Sequence, residues 1–99
     1  MIGTNMPQAI WNGTVVAEAN EVKIVEGNLY FPPTALKMIH FRLSDQTSTC
    51  SWKGMAKYYD VVVGSEVNEG AAWYYPEPLK AAVDIASYVA FWRGVEISR

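Results

Sequence analysis

Two side chains with nucleophilic chemistry, Cys50 and Lys53, lie three positions apart in the sequence. A thiolate is a good nucleophile when a nearby positive charge lowers its pKa, and a lysine ammonium supplies such a charge. In a regular strand these two side chains point to opposite faces, unless a bulge at Gly54 turns the lysine. A single cysteine is more often a small buried hydrophobe. The pair therefore defines one hypothesis, an enzyme that acts on a small metabolite through Cys50 or Lys53.

Other catalytic arrangements have less support from the sequence. His40 is the only histidine, and it could form a triad with Asp45 and Ser44, Ser48 or Ser51. The chain has neither a nucleophile elbow nor an oxyanion-loop signature for such a triad. One histidine and one cysteine are too few ligands for zinc, and the carboxylates are dispersed. We therefore expect no metal site, and no cofactor is implied.

Aromatic residues are more informative than the reactive ones. They cluster in three consecutive elements, at Tyr58, Tyr59, Trp73, Tyr74, Tyr75, Phe91 and Trp92. In a strand over 71–75, Trp73 and Tyr75 share one face and Tyr74 takes the other, so aromatic rings cover both sides. One face must be core. The other face either lines a small-ligand pocket or is a surface through which copies of the chain associate, and a core divided between two packed layers is the structural alternative.

The ligand-binding hypothesis assigns a pocket to one set of residues. This set is Thr49, Lys53, Tyr58, Trp73 and Tyr75, with Lys53 or Arg42 as the polar anchor. A lysine on a sheet face among aromatic rings is costly to bury without compensation. Lys53 should therefore either reach solvent or meet an anionic group.

The elements that must position these residues are mostly strands. Segments rich in β-branched or alternating residues are 14–18, 22–26, 29–31, 41–43, 47–53, 55–63, 71–75, 89–92 and 95–97. Turns are predicted at 44–46, 64–66 and 68–70, and Arg93-Gly94 predicts a hairpin between the last two strands. The spacing of the hydrophobic residues becomes helical only at Leu79, Ala82, Val83 and Ala86, which would form the apolar stripe of one short helix. The pattern predicts a mainly β, antiparallel domain with a single C-terminal helix.

Composition limits the class of protein. The 99 residues, 51% of them hydrophobic, fit a single domain over 1–99, with residues 1–12 loosely ordered. A net charge of −2 with scattered basic residues disfavours nucleic acid as a partner. There is no apolar run of membrane-spanning length and no signal-peptide pattern. With a single cysteine, these features predict a cytoplasmic protein that does not associate with membranes.

Three motifs occur in order along the chain: Thr49-Cys50-Ser51-Trp52-Lys53-Gly54 with Tyr58-Tyr59, then Ala72-Trp73-Tyr74-Tyr75-Pro76-Glu77-Pro78, and Ala90-Phe91-Trp92. With these motifs the sequence, from about Gly13 to Ile97, resembles a widespread bacterial family, domain of unknown function 427. The resemblance implies a tent-like β fold of the Mss4 type. Relatives with that fold bind zinc through paired Cys-x-x-Cys motifs, which a chain with one cysteine cannot form.

The family is sometimes labelled nucleotidyltransferase-like, and this label finds no support in the residues. Nucleotidyl transfer needs two or three carboxylates that converge on divalent metal ions. Gly64-Ser65 is followed by Glu66 but by no second carboxylate two positions on. Two hypotheses therefore remain, a β domain that binds a small ligand in an aromatic pocket and an enzyme acting through Cys50 or Lys53.

Overall fold

Antiparallel strands form most of the protein. The computed structural model describes residues 6–99. The strands are β1 (Gln8–Trp11), β2 (Thr14–Glu18), β3 (Lys23–Val25), β4 (Asn28–Tyr30), β5 (Phe41–Cys50), β6 (Gly54–Val63), β7 (Glu66–Tyr74), β8 (Val89–Phe91) and β9 (Glu96–Ser98). Three short 3-10 segments cover Pro33–Ala35, Met38–His40 and Lys80–Ile85. The mainly β, antiparallel prediction is confirmed, whereas the tent-like Mss4-type arrangement stays a prediction.

The strands form three antiparallel sheets. Their orders are β2-β1-β9, β3-β4 and β5-β6-β7-β8. A bridge between Phe31 and Val89, with both backbone hydrogen bonds at 2.8 Å, connects the end of β4 to β8. The small β3-β4 hairpin is thereby held beside the four-stranded sheet.

Two-residue turns with positive φ at both positions recur in the chain. They are Asn12-Gly13, Glu26-Gly27 and Arg93-Gly94. Glycine adopts this backbone at little cost and asparagine tolerates it, but glutamate and arginine adopt it less readily. Glu26 has φ 54° and Arg93 has φ 54°, so two charged side chains are held in a strained backbone conformation. Both side chains take part in the polar contacts described below.

The four-stranded sheet has a hydrophobic cluster on each face. Adjacent residues alternate between them, so Tyr59 and Tyr74 pack with one cluster while Tyr58 and Trp73 pack with the other. The first cluster joins this sheet to the β2-β1-β9 sheet through Ala9, Val16, Ala17, Val61, Val89 and Phe91. The second is formed by Tyr30, Ala56, Tyr75, Ala82, Ile85 and Ala90. Both faces of the aromatic strands therefore contribute to core packing.

The predicted C-terminal helix is wrong. Residues 80–85 form a 3-10 segment with a non-helical conformation at Ala82 (φ −119°), and Ser87 has φ 64°. The buried residues are Ala82 and Ile85, while Leu79 and Val83 are at least half exposed. Ala82 and Ile85 are three positions apart, a spacing at which side chains share one face of a 3-10 turn.

The predicted C-terminal hairpin is also wrong. Arg93-Gly94 does form a tight turn, in which Val95 N–H donates to the carbonyl of Trp92 at 3.2 Å. However, β8 pairs with β7 and β9 pairs with β1, so the turn passes the chain from one sheet to another. The turn predicted at 68–70 lies within β7, where the pairing with β6 shifts register.

Two further expectations differ from the structure. Of the N-terminal dozen residues, 1–5 lie outside the described residues, and residues 8–11 form β1 at the centre of its sheet rather than a loose segment. The turn predicted at 44–46 is part of the continuous strand β5, which shifts register against β6 between Leu43 and Thr47. Within residues 6–99 there is no helix of the length and apolarity needed to cross a membrane.

A buried carboxylate stabilises the register shifts at the centre of the sheet. Asp60 is 7% exposed, accepts the Gly70 N–H at Oδ1 (2.9 Å) and binds Arg42 at Oδ2 (3.1 Å). We expect Asp60→Ala to lower the free energy of unfolding by about 1–3 kcal/mol, because a buried N–H loses its acceptor. Urea denaturation measures this change. Asp45→Ala, at an exposed position, is the control, and an equal loss in both variants would contradict the prediction.

Candidate functional site

The turn between β5 and β6 changes the direction of Lys53. Pairing ends at Cys50 and Gly54, and residues 51–53 form the turn. Gly54 has φ 108°, and a Cβ there would lie 3.4 Å from the backbone nitrogen of Leu79, whose N–H donates to the Lys53 carbonyl at 2.9 Å. The segment before the third 3-10 turn therefore lies against this hairpin. Lys53 no longer follows strand alternation, and its side chain is only 7% exposed.

The Lys53 ammonium has one acidic partner. Its Nζ donates to Oε1 of Glu26, which extends from the β3-β4 turn and is more than half exposed. The same nitrogen lies 5.1 Å from the ring centroid of Trp52 and 5.6 Å from that of Tyr75. Aromatic faces attract cations at such distances, so the charge is held by one carboxylate and two rings.

The two charged groups shift each other's pKa. Burial by itself lowers the pKa of Lys53, but its hydrogen bond to Glu26 and the attraction of Tyr30 and Tyr75 outweigh this effect and raise the pKa above its ordinary value. The hydrogen bond and charge of Lys53 lower the pKa of Glu26. Burial raises the pKa of the Tyr75 hydroxyl, against the attraction of Lys53. At neutral pH the site therefore holds an ammonium, a carboxylate and a neutral phenol.

Lys53 lies in the wall of a small cavity. The other lining residues are Tyr58, Trp73, Tyr75 and Trp92, and the volume is about 150 Å³. Four aromatic side chains and one ammonium make this an aromatic cavity with a single positive charge. We refer to it below as the aromatic cavity.

Hydrogen bonds and ring contacts fix the walls of the aromatic cavity. Trp73 Nε1 donates to the hydroxyl of the buried Tyr30 at 3.3 Å, and Trp92 Nε1 donates to a backbone carbonyl of β7 at 2.6 Å. The Tyr58 hydroxyl lies 2.8 Å from the hydroxyl of Ser48. The rings of Trp73 and Trp92 meet edge to face, with centroids 5.7 Å apart. The polar atoms of Tyr58, Trp73 and Trp92 thus each have a partner that orients the ring.

The structure brings four of the five sequence-predicted ligand residues around this cavity, namely Lys53, Tyr58, Trp73 and Tyr75. Thr49 does not line it, because it lies exposed on the edge strand β5 opposite Met55. Trp92 was outside the predicted set, although it belongs to the aromatic cluster seen in the sequence. Its position depends on β8 pairing with β7, which the sequence does not reveal.

The other candidate residues lie apart from this cavity. Cys50 is a half-buried free thiol packed against the second core cluster, not a residue of the cavity wall. Arg42 binds Asp60 elsewhere on the sheet. His40 Nδ1 donates to the backbone carbonyl of Val62 at 2.8 Å rather than to Asp45, so the structure adds no support for a triad around this histidine. In the part of the chain that the structure describes, no three His, Cys, Asp or Glu side chains converge as metal ligands.

A family model described as Domain of unknown function (DUF427) matches residues 4–98, nearly the whole chain. The chain belongs to this family. No curated protein matches the sequence. Membership in the DUF427 family agrees with the motifs that contain Lys53, Trp73 and Trp92, and it names no reaction.

The ion pair of Lys53 and Glu26 predicts a pH window for stability. The lowered pKa of Glu26 contributes stability above its ordinary value of 4.5, and this is lost as pH falls through the folded-state pKa. The raised pKa of Lys53 contributes below 10.5 and is lost as pH rises through its folded-state value. We expect Glu26→Gln to be destabilising mainly between these limits. Denaturation curves at pH 3, 7 and 11 measure the effect, and a loss independent of pH would contradict the assignment.

The packing of Cys50 predicts slow modification. We expect iodoacetamide to alkylate Cys50 at pH 7.5 at least about tenfold more slowly in the folded protein than in 8 M urea, because core packing restricts access to the thiol. Mass spectrometry of timed samples measures both rates. A folded-state rate equal to or above the unfolded rate would instead support the catalytic hypothesis for this residue.

Proposed function

We propose that this protein binds a small ligand, an aromatic ring carrying an anionic group, in the aromatic cavity. The observation that carries the proposal is the combination of four aromatic walls with one buried ammonium. Ligand sites typically join apolar walls to a few fixed polar groups that orient the ligand. The hydrogen-bonded rings and the turn-fixed Lys53 supply both parts.

The size of the aromatic cavity limits the buried part of the ligand. Its volume is about 150 Å³. An engineered protein cavity of about that volume holds one benzene molecule. Whole drug-sized ligands need about 300 Å³ or more. The cavity therefore suits one ring, and any larger ligand would extend past the half-exposed Trp92 into solvent.

The positive charge of Lys53 determines which polar group on the ligand is favoured. Its ammonium has three N–H donors, and Glu26 occupies one of them. A carboxylate on the ligand would accept a charge-assisted hydrogen bond from a second donor. A cationic ligand would instead meet the ammonium as a like charge. The aromatic cavity therefore favours an anionic ring over a neutral one, and a neutral ring over a cationic one.

Catalysis through Lys53 or Cys50, the second hypothesis, has less support. A nucleophilic lysine needs its pKa lowered toward neutrality, and the pKa of Lys53 is raised. Cys50 is not part of the cavity wall, so a ligand seated there would not lie against its thiol. Binding without a covalent step is the function that the arrangement supports best.

Three probes that share one ring test this proposal. Benzoate, benzamide and benzylamine carry an anionic, a neutral and a cationic group, and quenching of Trp73 and Trp92 fluorescence or calorimetry measures their affinities. We expect benzoate to bind most tightly, benzamide less tightly and benzylamine most weakly. Lys53→Met should weaken the binding of benzoate at least about tenfold, which corresponds to the loss of one charge-assisted hydrogen bond. The affinity for benzamide should change less.

The matched control is Lys57→Met, at an exposed lysine on the opposite face of β6. It should leave all three affinities unchanged. Lys53→Met should remain folded, because its partner Glu26 is exposed and stays hydrated, and circular dichroism checks this. Unchanged benzoate binding in folded Lys53→Met, or no binding of any probe, would contradict the proposal.

A further inference from the structure

A second, larger cavity opens where the four-stranded sheet is irregular. It has a volume of about 420 Å³ and shares no lining residue with the aromatic cavity. Its charged lining residues are Arg42, Asp45, Asp60, Glu69 and Arg93. We refer to it as the charged cavity.

Two register shifts create the charged cavity. The pairing of β5 with β6 is interrupted between Leu43 and Thr47, and the pairing of β6 with β7 is interrupted between Tyr59 and Val61. Such bulges are frequent beside functional sites, where they re-aim side chains. Gly70 is part of this arrangement, because a Cβ there would lie 1.8 Å from the Gln46 side chain. The irregular backbone and the cavity therefore occur together.

Asp60 orients the first guanidinium group. Its buried carboxylate binds both Nε (3.2 Å) and Nη2 (3.1 Å) of Arg42, which leaves Nη1 of that arginine available. The Arg42 side chain is 57% exposed. One donor edge is thus fixed to the sheet while the other is accessible from solvent.

The turn after β8 orients the second guanidinium group. Arg93 has φ 54°, its Nη1 donates to the backbone carbonyl of Glu69 at 3.0 Å, and its guanidinium lies 4.5 Å from the ring centroid of Trp92. These contacts leave Nε and Nη2 available. A guanidinium with free N–H donors is suited to bind a carboxylate.

The cavity also contains negative charge without a partner. Asp45 and Glu69 are exposed, and neither forms an ion pair with any residue of 6–99. Asp60 already neutralises one arginine. An anion alone would meet both carboxylates, and a cation alone would meet both guanidinium groups, so a ligand of either single charge is opposed.

We propose that the charged cavity binds a small zwitterion of the α-amino-acid type. The carboxylate of the ligand accepts hydrogen bonds from Arg42 and Arg93, and its ammonium donates to both Asp45 and Glu69. Each free charge of the cavity then has an opposite charge beside it. This site is separate from the aromatic cavity and does not depend on the function proposed there.

Nuclear magnetic resonance titration of the ¹⁵N-labelled full chain tests the inference. The probes are L-serine, acetate and ethylammonium, so that the two single-charge molecules represent the halves of the zwitterion. We expect L-serine to give saturable shifts at the amides of Gly70 and Gln46. Acetate and ethylammonium should bind at least about tenfold more weakly, because each lacks one set of charge-assisted hydrogen bonds.

Substitutions at the exposed residues Arg93 and Glu69 test the positive and the negative part of the charged cavity separately. Arg93→Gln and Glu69→Gln should each weaken the binding of L-serine at least about tenfold. The control variants Lys57→Gln and Glu66→Gln lie outside the cavity and should leave this affinity unchanged. The amide spectrum of each variant shows whether it is folded. Acetate binding as tightly as L-serine, unchanged or tighter L-serine binding in Glu69→Gln, or no saturable shift with L-serine would overturn the proposal.

Discussion

The burial of the Lys53 ammonium is the constraint on which the structure around the aromatic cavity depends. A buried charge is costly unless a partner compensates it, and the compensation here comes from separate parts of the chain. Glu26 comes from the β3-β4 turn, and Tyr75 follows β7. The hydrogen bond from Leu79 to the Lys53 carbonyl holds the turn itself. The Lys53 ammonium therefore lies where the β5-β6 turn, the β3-β4 turn and the segment after β7 meet.

The second constraint is that the four-stranded sheet has no fully solvated face. Aromatic residues at adjacent positions, such as Tyr58 and Tyr59 or Trp73 and Tyr74, contribute to opposite clusters. The β2-β1-β9 sheet covers the first face, whereas Tyr30 of the β3-β4 hairpin and the six-residue 3-10 segment cover the second. That segment buries only Ala82 and Ile85. The aromatic cavity lies on this second face, beside Trp73.

The sequence pattern correctly predicted the strands that depend mainly on interactions between neighbouring residues. The strands at 14–18 and 55–63 follow from β-branched and alternating residues, and the structure contains both as β2 and β6. The stripe at 79–86 predicted a helix because spacings of three and four residues were both present, but of its four residues only Ala82 is buried, and the other buried residue, Ile85, lies outside the stripe. Lys53 and Trp73 came together because the turn at 51–53 breaks the alternation that the sequence predicts. The pairing of β9 with β1 is a contact between distant segments, and no turn motif encodes it.

The strained turns connect the two cavities to the backbone. A residue other than glycine in the left-handed region costs roughly 1 kcal/mol and persists where surrounding contacts hold it. At Asn12 the chain uses a residue that tolerates this conformation. Glu26 and Arg93 tolerate it less, and the side chain of each is anchored, to Lys53 and to the Glu69 carbonyl respectively. Asparagine at either position would relieve the backbone but would lose the long charged side chain. Among the three two-residue turns, the strained residues are therefore the two whose side chains are anchored by polar contacts.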